Sequence, residues 1–139
     1  MRRKTTDLSG VKVLVVDDEP DARALLKRVL DECDAEVFTA SNAVEALAVV
    51  QQHRPHVLVS DIGMPDVDGY ELLRRIRTLG EANGGKLPAI ALTAFARSED
   101  RTRALRAGFL VHVSKPLEPS ELIATVAAVA GHSGAAERE

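Results

Sequence analysis

At 139 residues the chain has the length of one domain, and with 45% hydrophobic but only 3% aromatic residues its core must be aliphatic. Eighteen basic side chains against 21 acidic ones give a net charge of −3, which excludes the basic footprint of a nucleic-acid binder. No apolar run approaches the roughly 20 residues of a membrane span, no apolar signal segment follows Met1-Arg2-Arg3-Lys4, and the single Cys33 excludes an internal disulfide; these features predict a cytoplasmic chain in a reducing compartment.

Taken in order, the elements alternate. The first aliphatic run, Val11 to Val16, reads as a strand that stops at Asp17 and Asp18. Pro20 opens a helix whose Ala22, Leu25, Leu26, Val29, Leu30 and Cys33 recur at helical spacing. Ala35 to Thr39 predicts a second strand, and Asn42 with Glu45 resembles a capping box ahead of Ala43, Ala46, Leu47 and Val50. His56 to Ser60 predicts a third strand, which stops at Asp61. Asp68 with Glu71 opens a helix carrying Leu72, Leu73, Ile76 and Leu79. After a surface connection from Gly80 to Lys86, Pro88 to Leu92 predicts a fourth strand stopping at Thr93. Ser98-Glu99-Asp100 starts a helix over 98–107 that is poor in large apolar residues and carries Arg101, Arg103 and Arg106. Phe109 to Ser114 predicts the fifth strand, which ends at Lys115-Pro116, and Pro119 begins a last helix with Leu122, Ile123, Val126 and Val129 on one face.

Five β-α units predict an α/β fold, a doubly wound five-stranded parallel sheet of order 2-1-3-4-5 with helices on both faces. Central strands buried on both faces read as continuous aliphatic runs, as Val13-Leu14-Val15-Val16 and Ala89-Ile90-Ala91-Leu92 do. The folded domain is expected over 10–130, with a flexible extension over 1–9 and a flexible tail over 131–139.

In such a sheet every strand's C-terminal end lies on one edge, and ligands bind there, at the switch point between the first and third strands. That edge gathers Asp17, Asp18 and Asp61, with Thr93 and Lys115 beside them. Taken singly, Asp17 or Asp18 could be no more than a helix cap, Asp61 a loop residue and Lys115 a solvated side chain. As a set, the three carboxylates are hard oxygen donors suited to Mg²⁺ or Mn²⁺, and such an ion would offset their mutual repulsion and neutralise a phosphoryl group. Lys115 precedes Pro116, where a cis peptide bond could set its direction.

Four pieces, in order and with matching spacing, then identify a family. Val13-Leu14-Val15-Val16-Asp17-Asp18-Glu19-Pro20, Ser60-Asp61-Ile62-Gly63-Met64-Pro65-Asp66-Val67-Asp68-Gly69, Ala91-Leu92-Thr93-Ala94-Phe95-Ala96 and Val113-Ser114-Lys115-Pro116 resemble a response regulator receiver domain of two-component signalling. The resemblance covers about residues 10–130 and implies a flavodoxin-like (βα)5 fold like that of the chemotaxis regulators. It implies that Asp61 accepts a phosphoryl group from a phosphohistidine of a sensor histidine kinase, attached or separate, and that Asp18, Asp61 and the Gly63 backbone carbonyl hold Mg²⁺ with support from Asp17. Lys115 and Thr93 would contact the phosphoryl oxygens, and the surface of the fourth helix, fifth strand and fifth helix would switch. The lead-in Asp7 to Gly10 and the segment Thr93 to Asp100 are similar to receivers of hybrid sensor histidine kinases, which implies a phosphorelay and a histidine phosphotransfer protein as a further partner. The expected state is a monomer or a weak phosphorylation-dependent dimer, and neither DNA nor membrane contact is expected of this chain.

One position departs from the family's pattern, and two others bear on phosphate lifetime. Three residues before Lys115, where relatives carry an aromatic switch residue, stands His112: the simple reading is a histidine filling that space, and the alternative is a planar rotor that titrates near neutrality. Gly63 and Phe95, which follow Asp61 and Thr93 by two residues, offer no polar group to orient an attacking water, so slow autodephosphorylation is expected. His53, His56 and His132 form no cluster of metal-ligand spacing. Two other functions were weighed. An aspartate-nucleophile phosphatase would carry a second Asp at position 63, where this chain has Gly. A phosphorylation-independent interaction scaffold would lack an acid, the Thr or the Lys, and none is missing.

Overall fold

The computed structural model describes residues 6–94 and 98–133. The elements are β1 (Lys12–Val16), α1 (Pro20–Asp31), β2 (Glu36–Ala40), α2 (Ala43–His53), β3 (Val57–Asp61), α3 (Gly69–Thr78), β4 (Ala89–Thr93), α4 (Ser98–Ala107), β5 (Val111–Ser114) and α5 (Pro119–Ser133), with one short 3-10 turn at Glu81–Asn83. The strands form one parallel sheet in the order β2-β1-β3-β4-β5. This is the doubly wound (βα)5 fold that the alternation predicts.

Side chains alternate across each strand, so one aliphatic run feeds two cores. Val13, Val15, Val57, Val59, Ile90, Leu92 and Val113 face α1 and α5, meeting Leu26, Leu30, Leu122 and Val126. Leu14, Val16, Leu58, Ala89 and Ala91 face the other way, toward Ala46 and Val50 of α2, Leu72, Leu73 and Ile76 of α3, and Ala104 of α4. Each fully buried Leu or Ile contributes about 2 kcal/mol of transfer free energy relative to exposure, so the two layers hold the sheet rigid beneath its upper edge. α4 is the exception. From Glu99 to Arg106 it buries only Ala104, and Phe109, packed edge-on against Tyr70 with 6.3 Å between ring centroids, fills the space below it.

The helix starts follow the sequence signals. Asn42 caps α2 by accepting the Glu45 N–H at 2.9 Å, and Glu45 reaches back to the Ser41 N–H at 2.7 Å. Asp68 caps α3 by accepting the Glu71 N–H at 2.9 Å. α1 differs. Pro20 sits in its first turn, but the N-cap residue Glu19 makes no side-chain cap; Asp17 instead accepts the Glu19 N–H at 3.0 Å, which ties the loop to the edge of the sheet.

The structure differs from the sequence reading in several places. Residues 7–9 were expected in a flexible extension, yet Leu8 is buried in the α1/α5 core and its N–H donates to Cys33 O at 2.7 Å; an apolar side chain next to the first strand gains by joining the core. α5 runs through Ser133, past the expected start of the tail at 131. β2 is shifted by one residue, to Glu36–Ala40. The fifth strand begins two residues later than Phe109 because Phe109 turns into the core, while Leu110 is half exposed. None of the described helices is long and apolar enough to cross a membrane.

Candidate functional site

Asp17 directly follows β1, and Asp61 is the last residue of β3. These strands are neighbours, with Val16 opposite Ser60, so both carboxylates lie at the same height above the sheet. Asp17 is fully buried and Asp61 is 7% exposed. Asp18 is more accessible, and one carboxylate oxygen from each of the three lies within 4.8 Å of the others. Thr93 ends β4 and is buried at the same edge. Lys115, just past β5, spans the group: its ammonium donates to Asp61 Oδ1 at 3.2 Å and to Asp17 Oδ2 at 3.4 Å. The Lys115–Pro116 peptide bond is cis. The five residues nominated from the sequence therefore do meet.

Electrostatics separate Asp61 from ordinary surface acids. Burial pushes the Asp61 carboxyl above its usual range and Asp17 adds repulsion; Lys115 opposes both. For Lys115, burial disfavours the ammonium, but Asp61 and then Asp17 outweigh that, and the net displacement is upward. One ammonium thus stands against three crowded carboxylates. This donor set fits a hard divalent cation: oxygen ligands on converging strand ends with an unbalanced negative charge.

The surroundings fix the loop after Asp61. Gly69 N–H donates to Ile62 O at 2.9 Å, which brings the start of α3 back onto the end of β3. A Cβ at Gly69 would stand 2.6 Å from Asp61 O and 2.9 Å from Ile62 Cα, so only glycine allows the approach. Sequence reasoning quoted Gly69 within a motif but assigned it no work, because the need for it is a through-space contact. Ser60 Oγ donates to Asp61 O at 2.9 Å, and Arg23 Nη1 donates to Asp17 O at 2.9 Å, further supports with no local signature. An open cleft of about 980 Å³ lies over the carboxylates; Gly63, Thr93, Lys115, Tyr70 and Arg103 are among its walls.

His112 lies on β5 opposite Ala91 of β4 and is partly exposed. Its Nε2 is buried and has no hydrogen-bond partner among the described residues. His53 stacks on Phe38 with ring centroids 4.4 Å apart, and His56 Nδ1 accepts the Lys12 N–H at 2.9 Å at the opposite edge of the sheet; both are structural here. Phe95 and the side chain of His132 lie outside the described residues.

Comparison with known proteins agrees with this geometry. Residues 13–127 match the response regulator receiver domain. An uncharacterized 14.6 kDa protein of Leptolyngbya boryana is 50% identical over 119 residues, covering 86% of this chain and 89% of that protein. The sensor histidine kinase RcsC of Salmonella typhi is 38% identical over 128 residues, 91% of this chain but 13% of the kinase. Among solved structures, the chemotaxis protein CheY4 of Vibrio cholerae superposes with a TM-score of 0.80 at 30% identity, covering 87% of this chain and 99% of that one.

Proposed function

Since this chain belongs to the response regulator receiver family, we propose that Asp61 is its phosphoacceptor, taking a phosphoryl group from the phosphohistidine of a sensor histidine kinase. The family is a signalling domain rather than a turnover enzyme, and the chemistry proposed here is directed at the domain itself. The observation that carries the reading is the position of Asp61: a near-buried carboxylate on a central strand end, within 4.8 Å of two more and bridged by Lys115 at 3.2 Å.

In the proposed reaction a carboxylate oxygen of Asp61 forms the new P–O bond while the P–N bond to the donor histidine breaks, and the departing imidazole takes its proton from solvent. Asp17, Asp18 and Asp61, with the Gly63 carbonyl, would hold Mg²⁺ or Mn²⁺, which when bound neutralises charge on the phosphoryl oxygens. Lys115, already at Asp61, pairs with one phosphoryl oxygen, and the Thr93 hydroxyl donates to another. The protein supplies position and fixed charge. Gly63 places no side chain two residues after the acceptor to orient an attacking water, which supports slow autodephosphorylation.

The added charge, about −1.5 to −2 units, is read by the α4, β5 and α5 surface. α4 is the least anchored helix, and the unpartnered Nε2 of His112 offers a group that gains a partner when the ring or its neighbours move. His112→Ala should then label normally yet lose the conformational response; an unchanged response in amide chemical shifts would return His112 to a space-filling role. The likeness to RcsC supports a phosphorelay with an attached or separate kinase and a histidine phosphotransfer protein.

The test is labelling by acetyl phosphate. With Mg²⁺ the intact mass should rise by one phosphoryl group; with EDTA in place of Mg²⁺ it should not. Labelling that ignores the metal would contradict the proposed ion site.

A further inference from the structure

Beside the phosphoryl cleft, with which it shares Asp68, Tyr70 and Arg103, a groove of about 610 Å³ runs between α3 and α4. Arg74 and Arg77 of α3 and Arg103 and Arg106 of α4 line it, together with Asp68 and Glu71. Over residues 68–77 and 99–106 the chain carries six arginines and four acidic residues, Asp68, Glu71, Glu99 and Asp100, although its net charge is −3. Glu71 is shared by Arg74 at 2.6 Å and Arg75 at 3.0 Å. Among the described residues no carboxylate lies within ion-pair distance of Arg77, Arg103 or Arg106. Like charges held close without a paired carboxylate oppose folding, so these three arginines call for a reason.

Two of the guanidinium groups are already held. Arg77 Nη1 donates to Gly85 O at 2.9 Å and Leu87 O at 2.7 Å. Arg103 stacks over Tyr70, 4.1 Å from the ring centroid. Rigid, forked donors lose little entropy on pairing with a carboxylate. Arg106 is exposed and has no partner among the described residues.

We propose that the α3–α4 groove docks a short acidic segment of a protein partner, its carboxylates pairing with Arg103 and Arg106. A protein segment fits better than nucleic acid. The groove holds four arginines against two acids on a chain of net charge −3, and a long polyanion would meet the net negative charge of the rest of the chain. A segment of a few Asp or Glu residues needs only the groove.

The test uses a fluorescein-labelled hexaglutamate peptide and the full chain, unphosphorylated, so that failure leaves the Asp61 assignment untouched. Anisotropy at about 0.15 M salt, where surface charges more than about 8 Å apart are largely screened, should show saturable binding. Arg106→Gln should weaken it about fivefold or more, the loss of one charge-assisted fork. Arg101→Gln makes the same charge change on the same helix outside the groove and should cost less than about twofold. Equal losses in the two variants would mean diffuse charge and overturn the proposal, as would the absence of saturable binding. Tighter binding of a single-stranded oligothymidylate of equal charge would assign the groove to nucleic acid. Peptide-free self-association abolished by Arg106→Gln would assign it to a second copy. Either result overturns the acidic-segment assignment.

Discussion

The two edges of the sheet treat polar groups in opposite ways. At the edge where the strands begin, groups are paired one to one: Lys12 N–H donates to His56 Nδ1 at 2.9 Å, His56 N–H to Lys12 O at 2.8 Å, and the Lys12 ammonium to His53 O at 3.1 Å. At the edge where the strands end, three carboxylates crowd together, one ammonium reaches two of them, and Asp61 is held above its usual pKa range. The first edge is satisfied as it stands. The second leaves charge uncompensated, which suits the proposed cation and phosphoryl group, and the fold pays for it with repulsion. Crowding without compensation marks the functional edge more clearly than the presence of polar residues does.

The comparison breaks first at Asp61. Asp61→Asn should abolish labelling by acetyl phosphate, read by intact mass, while raising the thermal midpoint, because removing a crowded carboxylate relieves the repulsion; a gain of about 1 kcal/mol fits site residues held for function. An Asn variant that melted lower would show that Asp61 stabilises the fold and is not strained by its neighbours.

Gly69→Ala should cost about 2–3 kcal/mol in urea unfolding, since the added carbon would stand 2.6 Å from Asp61 O. Substitution without loss would mean that the α3 start does not lock the acceptor strand.

Acidity sharpens the contrast next. The folded pKa of Asp61 lies above the unfolded value of 3.8, so as pH falls toward 3.8 the fold takes up this proton first and repulsion is relieved, a gain in stability from this group. In metal-free buffer the Asp61 carboxyl should therefore take up its proton above the pH at which an ordinary Asp titrates, read from its side-chain carboxyl chemical shift. A shift that stayed flat down to pH 4 would contradict the upward displacement.

His56 is the smallest effect and has the opposite sign. Burial and then Lys12 hold its pKa below the usual 6.5, so it contributes stability above pH 6.5 that is lost as pH falls through its folded value. His56→Gln should flatten the stability profile between about pH 5 and 7 relative to the parent, by a modest amount because the ring is only partly buried.

The strand ends were legible because their signals are local. An aliphatic run that stops at an acid, a hydroxyl or a lysine names its own edge, and parallel pairing brings those stops together; the caps at Asn42 and Asp68 are equally local. Leu8 in the core, Gly69 against Asp61 O, Arg23 on the Asp17 carbonyl and the Arg103–Tyr70 stack were not legible. Each is a contact between segments whose separation depends on the finished fold, and nothing in the spacing of their residues encodes it. His112 lies between these cases: its place in the strand was clear from sequence, but only the structure reveals its unpartnered nitrogen.

The most direct test of the crowded edge is to locate the phosphoryl group. After acetyl phosphate and Mg²⁺ treatment, borohydride reduction and peptide mapping should place the modified aspartate at Asp61 in the parent chain, at up to one per molecule, with no modified aspartate in Asp61→Asn. Modification at Asp17 or Asp18 in the parent, or full labelling of the Asn variant, would contradict the assignment of the acceptor.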